Sequence, residues 1–533
     1  MADTYLWWRD GVIYQIYPRS FADSNGDGIG DLPGITSRLD YLVDLGIDAL
    51  WLSPIYPTPD VDFGYDISDH TAIDPRFGTI SDFDQLVTQA HKRGLRIILD
   101  LVLNHTSDQH KWFKEAKSSR TNAYHDWYLW QSPESKGNVP NNWQASFGGS
   151  AWEFNQDTDE YYLHLFCKEQ PDVNWRNPQV RQAQLDVVRF WLKHDVDGFR
   201  LDVFNAYFKH PGFPNNPVNF GIRGFDRQKH IYDIDQPDMM PLLAEFREIL
   251  NAYPERYAVG ETFVATPEKA AGYCGKNALH AAFNFEFASS PWSAPTFLKS
   301  ILKWETALGP DKWPNYFLNN HDISRSSSRY WPNEQDDRAK VAAVMLLTLR
   351  GTPFLYYGEE IGMRNISLKR DEILDPPGKK YWPIYKGRDV CRSPMQWNNT
   401  PYAGFSTQNP WLPVHPNYVF RNVDKQKADG NSLFNVYRQL IDIRRHEPAL
   451  QHGDFLPIQT QSTNALVYLR QLDNRMIFVA LNFSNRTQTV NLTSALWKKK
   501  WALLFSTNRS TTPEFRQGAF ALLPNEACLL ITK

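Results

Sequence analysis

Eight short runs of apolar, β-branched or aromatic residues recur along the first two thirds of the chain, and they limit its possible folds more than any other feature. Helical patterns such as Ile80–Arg93, Val180–His194 and Met240–Ala252 separate most of them. Strands that alternate with helices predict parallel pairing through right-handed crossovers. Eight such units predict an α/β protein with a closed (β/α)8 TIM barrel, whose chemistry lies where the strands end. The runs are Val12–Ile16, Ala49–Leu52, Ile97–Val102, Gly198–Leu201, Tyr257–Gly260, Ala282–Phe285, Tyr316–Leu318 and Phe354–Tyr357.

Uneven spacing of these strands predicts how the chain is divided. The barrel takes 1–104 and 174–450, and an inserted subdomain takes 105–173, because the third and fourth strands lie too far apart for one helix. The irregular stretch 363–418, rich in Pro, Trp and Asn, is predicted to form a lid over the barrel. After Pro448 the pattern changes to short alternating strands without helices, which predicts an antiparallel β-domain over 451–533. Its expected strands are Ala465–Leu469, Met476–Asn482, Gln488–Leu492, Trp501–Phe505 and Ala527–Thr532.

Composition excludes some functional classes. The 533-residue chain has a formal net charge of -3 and no basic cluster, which argues against a nucleic-acid partner. It has no apolar run long enough to cross a membrane and no recognisable signal peptide. Its four cysteines are far apart in sequence, which favours free thiols and a cytoplasmic location. Aromatic residues make up 14% of the chain, a share that suits sugar binding but also suits a large core.

Polar residues follow four of the predicted strands. They occur in the strings DLVLNH (Asp100, Asn104, His105), GFRLDVFN (Arg200, Asp202), VGET (Glu261) and FLNNHD (His321, Asp322). A single Asp at a strand end often only caps the next helix. Clusters at the matching end of four strands instead predict one site at the mouth of the barrel.

These four strings resemble the signature regions of the α-amylase family, glycoside hydrolase family 13, and the resemblance covers nearly the whole chain. It implies a (β/α)8 barrel with an inserted B domain after strand three and a C-terminal β-sandwich. The further strings YQIYPRSF, DSNGDGIGD, GTPFLYYGEE, SPMQW and PWLPV are similar to the exo-acting branch of oligo-1,6-glucosidases, dextran glucosidases and α-glucosidases.

The resemblance implies a role for each residue of the site. Asp202 would be the nucleophile of a retaining glycosidase, Glu261 the acid/base, and Asp322 the third carboxylate, which holds sugar hydroxyls. Arg200 would keep Asp202 ionised, since a nearby cation lowers a carboxylate pKa. A setting that raises the pKa of Glu261 is expected, because it must be protonated near neutral pH. His105 and His321 would donate hydrogen bonds to the same glucose.

Further positions match a closed pocket for the terminal glucose. Asp62 and Tyr65, in VDFGYD, and Arg388, in GRDVCRSP, match residues that hold the non-reducing end in the family. Phe166 and Phe147 would line an apolar wall, although ordinary core packing explains each nearly as well.

The loop DSNGDGIGD carries oxygen ligands at alternating positions. Calcium prefers such ligands, and in this branch of the family the loop often holds a structural Ca²⁺. The alternative is an Asp/Gly-rich turn without a metal. No organic cofactor is expected. The expected ligands are Asp23, Asn25, Asp27, Asp31 and the carbonyl of Ile29.

Linkage preference depends on few residues. In this branch of the family a valine after the nucleophile, here Val203, accompanies α-1,6 activity, and QPDVN (170–174) resembles a segment typical of oligo-1,6-glucosidases. We therefore expect a retaining exo-acting α-glucosidase that releases glucose from short α-1,6-linked oligosaccharides, as a monomer or small homo-oligomer. The alternative is a broad α-glucosidase acting on maltose or sucrose, or a glucosyl-transferring or isomerising relative.

Sucrose isomerases usually carry RLDRD beyond the fourth region, where this chain has ISRSSSRYW. A non-catalytic relative or a sugar-binding module is disfavoured, because all three carboxylates are present.

Overall fold

The computed structural model describes residues 5–133, 138–331 and 334–532. Within them the eight predicted strands form one parallel sheet, which confirms the barrel. Numbered in chain order as barrel strands 1 to 8, they are Ile13–Ile16, Ala49–Leu52, Arg96–Leu101, Gly198–Leu201, Tyr257–Gly260, Ala281–Ala282, Asn315–Phe317 and Thr352–Tyr356.

The hydrogen-bonded ladder of the described strands runs from barrel strand 7 through 8 and 1 to 6, and it is open between strands 6 and 7. Barrel strand 6 has only two residues, Ala281 and Ala282, and pairs with strand 5 alone. The buried side chain of Asn315 spans the opening, where its amide donates a hydrogen bond to the carbonyl of Ala282 at 2.9 Å. A side chain therefore closes the barrel where backbone pairing is missing.

Helices surround the sheet, and most of them bury one apolar face, whereas Asp337–Thr348 is buried nearly all round. In Ile80–Lys92, Phe83, Leu86, Val87 and Ala90 are buried at helical spacing, and Thr79 and Asp82 form a capping box at its start. The principal helices after the barrel strands are Leu39–Leu45, Ile80–Lys92, Pro178–Lys193, Met239–Asn251, Pro267–Gly272, Ala294–Leu308, Asp337–Thr348 and Leu433–His446. The shorter α-helices are Trp7–Asp10, Leu32–Ser37, Lys111–Ala116, Phe285–Ala288, Ser326–Tyr330, Pro376–Tyr381, Val423–Ala428, Pro448–Gln451 and Ser494–Trp497. The 3-10 helices are Pro18–Ser20, His125–Trp127, Phe204–Ala206, Phe225–Arg227, Arg370–Glu372, Asp389–Cys391, Pro401–Gly404 and Pro416–Val419.

The insertion after barrel strand 3 contains an antiparallel sheet of Trp130–Gln131, Glu160–Leu163 and Trp152–Asn155, in that spatial order. The long loop after barrel strand 4 packs on it, an arrangement that the sequence did not indicate. The ring of Phe213 in that loop lies 5.7 Å from the ring of Trp143 and 5.5 Å from that of Trp152. Two separate loops of the barrel therefore build one structure above its mouth.

The C-terminal region is a sandwich of two antiparallel sheets. The larger has the order Asp454–Pro457, Ala465–Leu472, Arg475–Asn482, Ala527–Thr532, Trp501–Ser506, and the smaller pairs Gln488–Asn491 with Ala519–Leu522. Phe478 and Leu530 of the larger sheet share one buried core with Val490 and Phe520 of the smaller. The sequence did not indicate Asp454–Pro457, an edge strand that includes a proline, or Ala519–Leu522.

No helix in the described residues has the length and apolar character needed to span a bilayer. All four cysteines are free thiols, as expected: Cys167 is partly exposed, and the other three are buried.

Candidate active site

Two carboxylates meet at the ends of neighbouring barrel strands. Strands 4 and 5 pair in register, with Leu201 opposite Gly260, so the next residues, Asp202 and Glu261, stand side by side. Arg200 lies beneath them and is 1% exposed. Its guanidinium donates hydrogen bonds to Asp202 Oδ1 at 2.7 Å and to Asp100 Oδ1 at 2.6 Å, and it also contacts Glu261. One buried cation, the Arg200 guanidinium, therefore contacts three carboxylates.

The surroundings of this pair give its two carboxyl groups different pKa values. Burial raises the pKa of Asp202 to about 7 and that of Glu261 to about 8, and Arg200 opposes the rise in both. A hydrogen bond between the two carboxyl groups lowers the pKa of Asp202 and raises that of Glu261. When the pair holds a single proton, that proton therefore resides on Glu261 and leaves Asp202 ionised. This is the division that a nucleophile and an acid require.

The third carboxylate, Asp322, is held by cations. Arg392 donates a hydrogen bond to its Oδ1 at 2.8 Å, and Arg388 lies at 3.4 Å from the same oxygen. Burial acts to raise the pKa of Asp322, but the guanidinium groups of Arg388 and Arg392 hold it below its ordinary value. Asp322 is therefore a fixed negative charge on the cavity wall.

Tyr65 connects the predicted histidines. Its hydroxyl lies 2.6 Å from His321 Nε2 and donates a hydrogen bond to Asp100 Oδ2 at 3.1 Å, and its carbonyl lies 2.9 Å from His105 Nε2. Burial lowers the pKa of His105 to about 4 and that of His321 well below its ordinary value, so both rings are neutral. The other nitrogen of His321, Nδ1, contacts the side-chain amide of Gln15 at 2.7 Å.

A cavity of about 220 Å³ opens above these groups. In the described chain His105 lies on its wall, whereas His321 and Arg200 lie outside the set of lining residues; the predicted hydrogen bond from His321 to a sugar stays a prediction. The lining residues are Asp62, Tyr65, His105, Ser146, Phe147, Phe166, Asp202, Val203, Glu261, Phe263, Asp322, Tyr385 and Arg388. The volume lies below the roughly 300–1,000 Å³ of pockets for drug-sized ligands and suits one sugar unit.

A salt bridge closes one end of the cavity. Arg388 Nη2 lies 2.5 Å from Asp62 Oδ1 and 2.6 Å from Asp375 Oδ1, and the guanidinium lies 5.1 Å from the centre of the Phe147 ring. Gln170 donates a hydrogen bond to Asp62 Oδ2 at 3.2 Å. Asp62 and Asp375 are 3% and 0% exposed, so protein lies behind the salt bridge at this part of the cavity wall.

Several residues of the site were given no individual role in the sequence reasoning. Asp100 and Arg392 occur in strings that were singled out, DLVLNH and GRDVCRSP, so each had a local signal. Gln15 also occurs in such a string, YQIYPRSF. Asp375 and Tyr385 had no local signal, because only the folded chain brings them to the cavity or to its charged residues. Val203 adopts the left-handed conformation, with φ 34°, which is unfavourable for a β-branched residue and places a strained peptide directly after Asp202.

The predicted calcium loop makes an extensive set of its own hydrogen bonds. Asp23 accepts from the backbone N–H groups of Asn25, Gly26 and Gly28. Asp31 caps the helix Leu32–Ser37 and accepts from the Ser24 hydroxyl. In the described chain the three loop carboxylates do not by themselves form a metal-binding group, so a cation here would also need the Asn25 amide and the Ile29 carbonyl. The loop supplies both, and the calcium assignment stays a prediction.

Known proteins resemble this chain over nearly its whole length. The family model described as "Alpha amylase, catalytic domain" matches residues 15–453. A probable α-glucosidase of Rhizobium meliloti is 42% identical, over 91% of each chain. An oligo-1,6-glucosidase of Parageobacillus thermoglucosidasius is 40% identical, over 94% of each chain. The solved structure of the α-glucosyl transfer enzyme XgtA is 36% identical, with a TM-score of 0.95 over 99% of this chain and 100% of that one.

Proposed function

Because the chain belongs to the α-amylase family of glycoside hydrolases, we propose that it is a retaining, exo-acting α-glucosidase. Its substrates are short α-1,6-linked gluco-oligosaccharides such as isomaltose, panose and isomalto-oligosaccharides, from whose non-reducing ends it releases glucose. The observation that carries the proposal is the contact of Asp202 and Glu261 with one buried guanidinium, that of Arg200, at the bottom of a cavity closed at one end.

In the first step, Asp202 attacks C1 of the terminal glucose while Glu261 gives its proton to the glycosidic oxygen. The bond from C1 to that oxygen breaks, and a glucosyl ester forms on Asp202. In the second step, Glu261, now ionised, takes a proton from water, whose oxygen attacks C1 and releases Asp202. Arg200 favours the ionised form of Asp202 in the resting enzyme and again as it leaves.

Exo action follows from the closed end of the cavity. The terminal glucose meets the Arg388–Asp62 salt bridge, which leaves no room for a further sugar beyond it. Asp322, ionised beside Arg392, accepts hydrogen bonds from the hydroxyls of that glucose. Phe166, 5.2 Å from the ring of His105, borders it with an apolar surface.

The preference for the α-1,6 linkage has two supports. Val203 lies on the cavity wall next to the nucleophile, where its side chain borders the bond to be cleaved. Relatives named oligo-1,6-glucosidase match nearly the whole chain. A second candidate, a broad α-glucosidase or a glucosyl-transferring relative, is favoured by one observation, the close structural match to a glucosyl transfer enzyme.

Initial rates of glucose release from isomaltose, maltose and sucrose, with chromatography of all products, test the proposal. Isomaltose hydrolysed fastest, with little new oligosaccharide, is the expected result. Maltose or sucrose hydrolysed fastest, or abundant transfer products, would favour the second candidate. Absence of glucose release from all three would contradict both.

The proposal also includes a structural Ca²⁺ in the loop of Asp23, Asn25, Asp27, Ile29 and Asp31, which would hold this loop together and take no part in the reaction. We further propose that the protein acts in the cytoplasm, without a membrane or nucleic-acid partner, as a monomer or small homo-oligomer. Free cysteines support the cytoplasmic assignment, since disulfides are rare in that compartment.

A further inference from the structure

The side chain of Gln15 is a buried polar group in barrel strand 1 with no part in the proposed reaction. It is 1% exposed. Ile13, two residues earlier, packs in the apolar interior of the barrel, and because side chains alternate along a strand, Gln15 points into the same interior. Its side-chain amide lies 3.2 Å from the Ser53 hydroxyl and 2.7 Å from Nδ1 of His321. The amide therefore contacts the ring nitrogen of His321 that Tyr65 does not contact.

The single hydroxyl proton of Tyr65 belongs to its contact with Asp100. Burial raises the pKa of Asp100 to about 6, and Arg200 opposes the rise, so this carboxyl group is ionised above that pH. It accepts hydrogen bonds from Arg200 at 2.6 Å and from the indole N–H of Trp51 at 3.3 Å. An ionised carboxylate cannot donate, so Tyr65, at 3.1 Å, donates to it. The hydroxyl oxygen of Tyr65 can then only accept from its other partner.

That other partner is the ring of His321. Its Nε2 lies 2.6 Å from the Tyr65 hydroxyl, so Nε2 must carry the proton of this hydrogen bond. Burial holds the pKa of His321 well below its ordinary value, and the ring is neutral. A neutral imidazole has one proton, so Nδ1 is an acceptor. The amide of Gln15 consequently presents an N–H to Nδ1 and not its carbonyl.

These contacts form a row of hydrogen bonds in which every donor points the same way. Gln15 donates to His321, His321 donates to Tyr65, and Tyr65 donates to Asp100. The partner of one ring nitrogen of a histidine determines which nitrogen carries the proton. We propose that Gln15 is a positioning residue of the active site, which fixes His321 as the tautomer with its proton on Nε2.

The direction of this row affects two catalytic carboxylates. If the ring proton were on Nδ1, the Tyr65 hydroxyl would turn to Nε2, and Asp100 would lose a donor. Asp100 would then draw more strongly on Nη1 of Arg200, the atom that also donates to Asp202. Nε2 further lies 3.4 Å from Asp322 Oδ2, where an N–H attracts the carboxylate and a lone pair repels it. The kinetic part of the inference rests on the proposed α-glucosidase activity, whereas the position of the proton does not.

Nitrogen NMR of the wild type, labelled with 15N at histidine, reads the position of the proton directly. Protonated and unprotonated ring nitrogens differ in chemical shift, and the signals of His321, one of 14 histidines, are identified by their loss in His321→Gln. At pH 8 we expect an unprotonated Nδ1 and a protonated Nε2. A proton on Nδ1, or on both nitrogens, overturns the inference.

Gln15→Glu reverses the donor, because an ionised carboxylate beside Nδ1 only accepts. In this variant Nδ1 should carry a proton. The kcat for isomaltose should fall by about ten-fold or more, since a hydrogen bond to a charged group is worth at least that factor in rate. KM should stay within about three-fold, because the loss concerns the reacting carboxylates and not the binding of glucose.

Two further variants separate the position of the proton from general damage. Gln15→Met has a similar length but no amide, so the proton should stay on Nε2, where Tyr65 accepts it, and kcat should fall less than in Gln15→Glu. Gln451 is 7% exposed and donates its amide to the carbonyl of Arg445. Gln451→Glu is therefore the matched control, and it should leave both kcat and the His321 signals unchanged.

Three results with the variants would contradict the inference: an unprotonated Nδ1 in Gln15→Glu, a protonated Nδ1 there with unchanged kcat, or an equal loss of kcat in Gln15→Glu and Gln15→Met. The wild-type spectrum tests the inference even if Gln15→Glu does not fold. A wild type that releases no glucose from isomaltose, maltose or sucrose contradicts the proposed function instead, and the spectrum still shows which nitrogen of His321 carries the proton.

Discussion

Asp202 and Glu261 share the guanidinium of Arg200, which lies 2.7 Å from Asp202 and also contacts Glu261. The two carboxyl groups are also hydrogen-bonded to each other, which lowers the pKa of one and raises that of the other. The arrangement therefore determines more than the position of the two side chains. It determines which of them holds the proton at the pH where the enzyme works.

The first prediction concerns pH. Activity requires Asp202 ionised and Glu261 protonated, so kcat/KM should fall as the pH drops through the raised pKa of Asp202, about 7, and should fall again above that of Glu261, about 8. A narrow bell-shaped profile is expected for isomaltose. In Glu261→Gln, turnover of 4-nitrophenyl α-glucoside, whose leaving group needs little protonation, should lose the alkaline limb. An alkaline limb that persists in this variant would show that another group is the acid.

The second prediction concerns the nucleophile. Asp202→Asn removes the charge that attacks C1 and keeps the shape of the side chain, so kcat should fall on the order of 10⁴-fold or more. The thermal midpoint by circular dichroism should stay within a few degrees of the wild type. Asp195→Asn, a side chain 76% exposed, is the control and should retain activity. Near-normal hydrolysis of isomaltose by pure Asp202→Asn would contradict the assignment.

Sequence reasoning identified residues that have a local signal. Asp202, Glu261 and Asp322 each follow an apolar strand in a short recognisable string, and the regular alternation of strands and helices places such strand ends together. The fold class could be predicted for the same reason, because it follows from periodicity along the chain.

The remaining features depend on contacts between distant segments. The Asp375–Arg388 salt bridge forms inside an irregular segment that lacks any periodic pattern. The loop after barrel strand 4 reaches the inserted sheet through contacts such as that of Phe213 with Trp143. Barrel strand 6 is so short that the side chain of Asn315 joins it to strand 7. Neither spacing nor residue type along the chain carries this information.

The third prediction concerns calcium. If the loop of Asp23, Asn25 and Asp27 binds Ca²⁺, removal of the ion by a chelator should lower the thermal midpoint by a few degrees, because a ligand of the native state stabilises it. Calorimetric titration of the chelated protein should detect binding, and Asp27→Asn should weaken it. Asp69→Asn, in a loop without expected ligands, is the control. An unchanged midpoint together with no heat of binding would favour the Asp/Gly-rich turn.

The fourth prediction concerns a buried ion pair behind the substrate cavity. Lys209 Nζ lies 2.5 Å from Asp172 Oδ2 and donates a hydrogen bond to Asn104 Oδ1 at 2.9 Å, and both charged side chains are fully buried. Lys209→Met leaves the carboxylate of Asp172 without its cation, which should lower the free energy of unfolding by about 3–5 kcal/mol. The double variant Lys209→Met/Asp172→Asn should recover part of this loss in denaturant titrations. If the losses in Lys209→Met and in Asp172→Asn add up to the loss in the double variant, the two charges are not coupled.

The last prediction concerns linkage. Val203 lies on the cavity wall beside Asp202, and its left-handed backbone fixes the direction of its side chain. Val203→Thr keeps the β-branched shape and adds a hydroxyl, so it should change the fit of the substrate at the bond to be cleaved. The ratio of isomaltose to maltose hydrolysis should fall by about ten-fold, which is the range that small changes in a pocket produce. The matched control is Val264→Thr, because Val264 also has a left-handed backbone, with φ 54°, but is 56% exposed and is absent from the cavity wall. If both variants keep the wild-type ratio, linkage preference is determined by other residues around the bond to be cleaved.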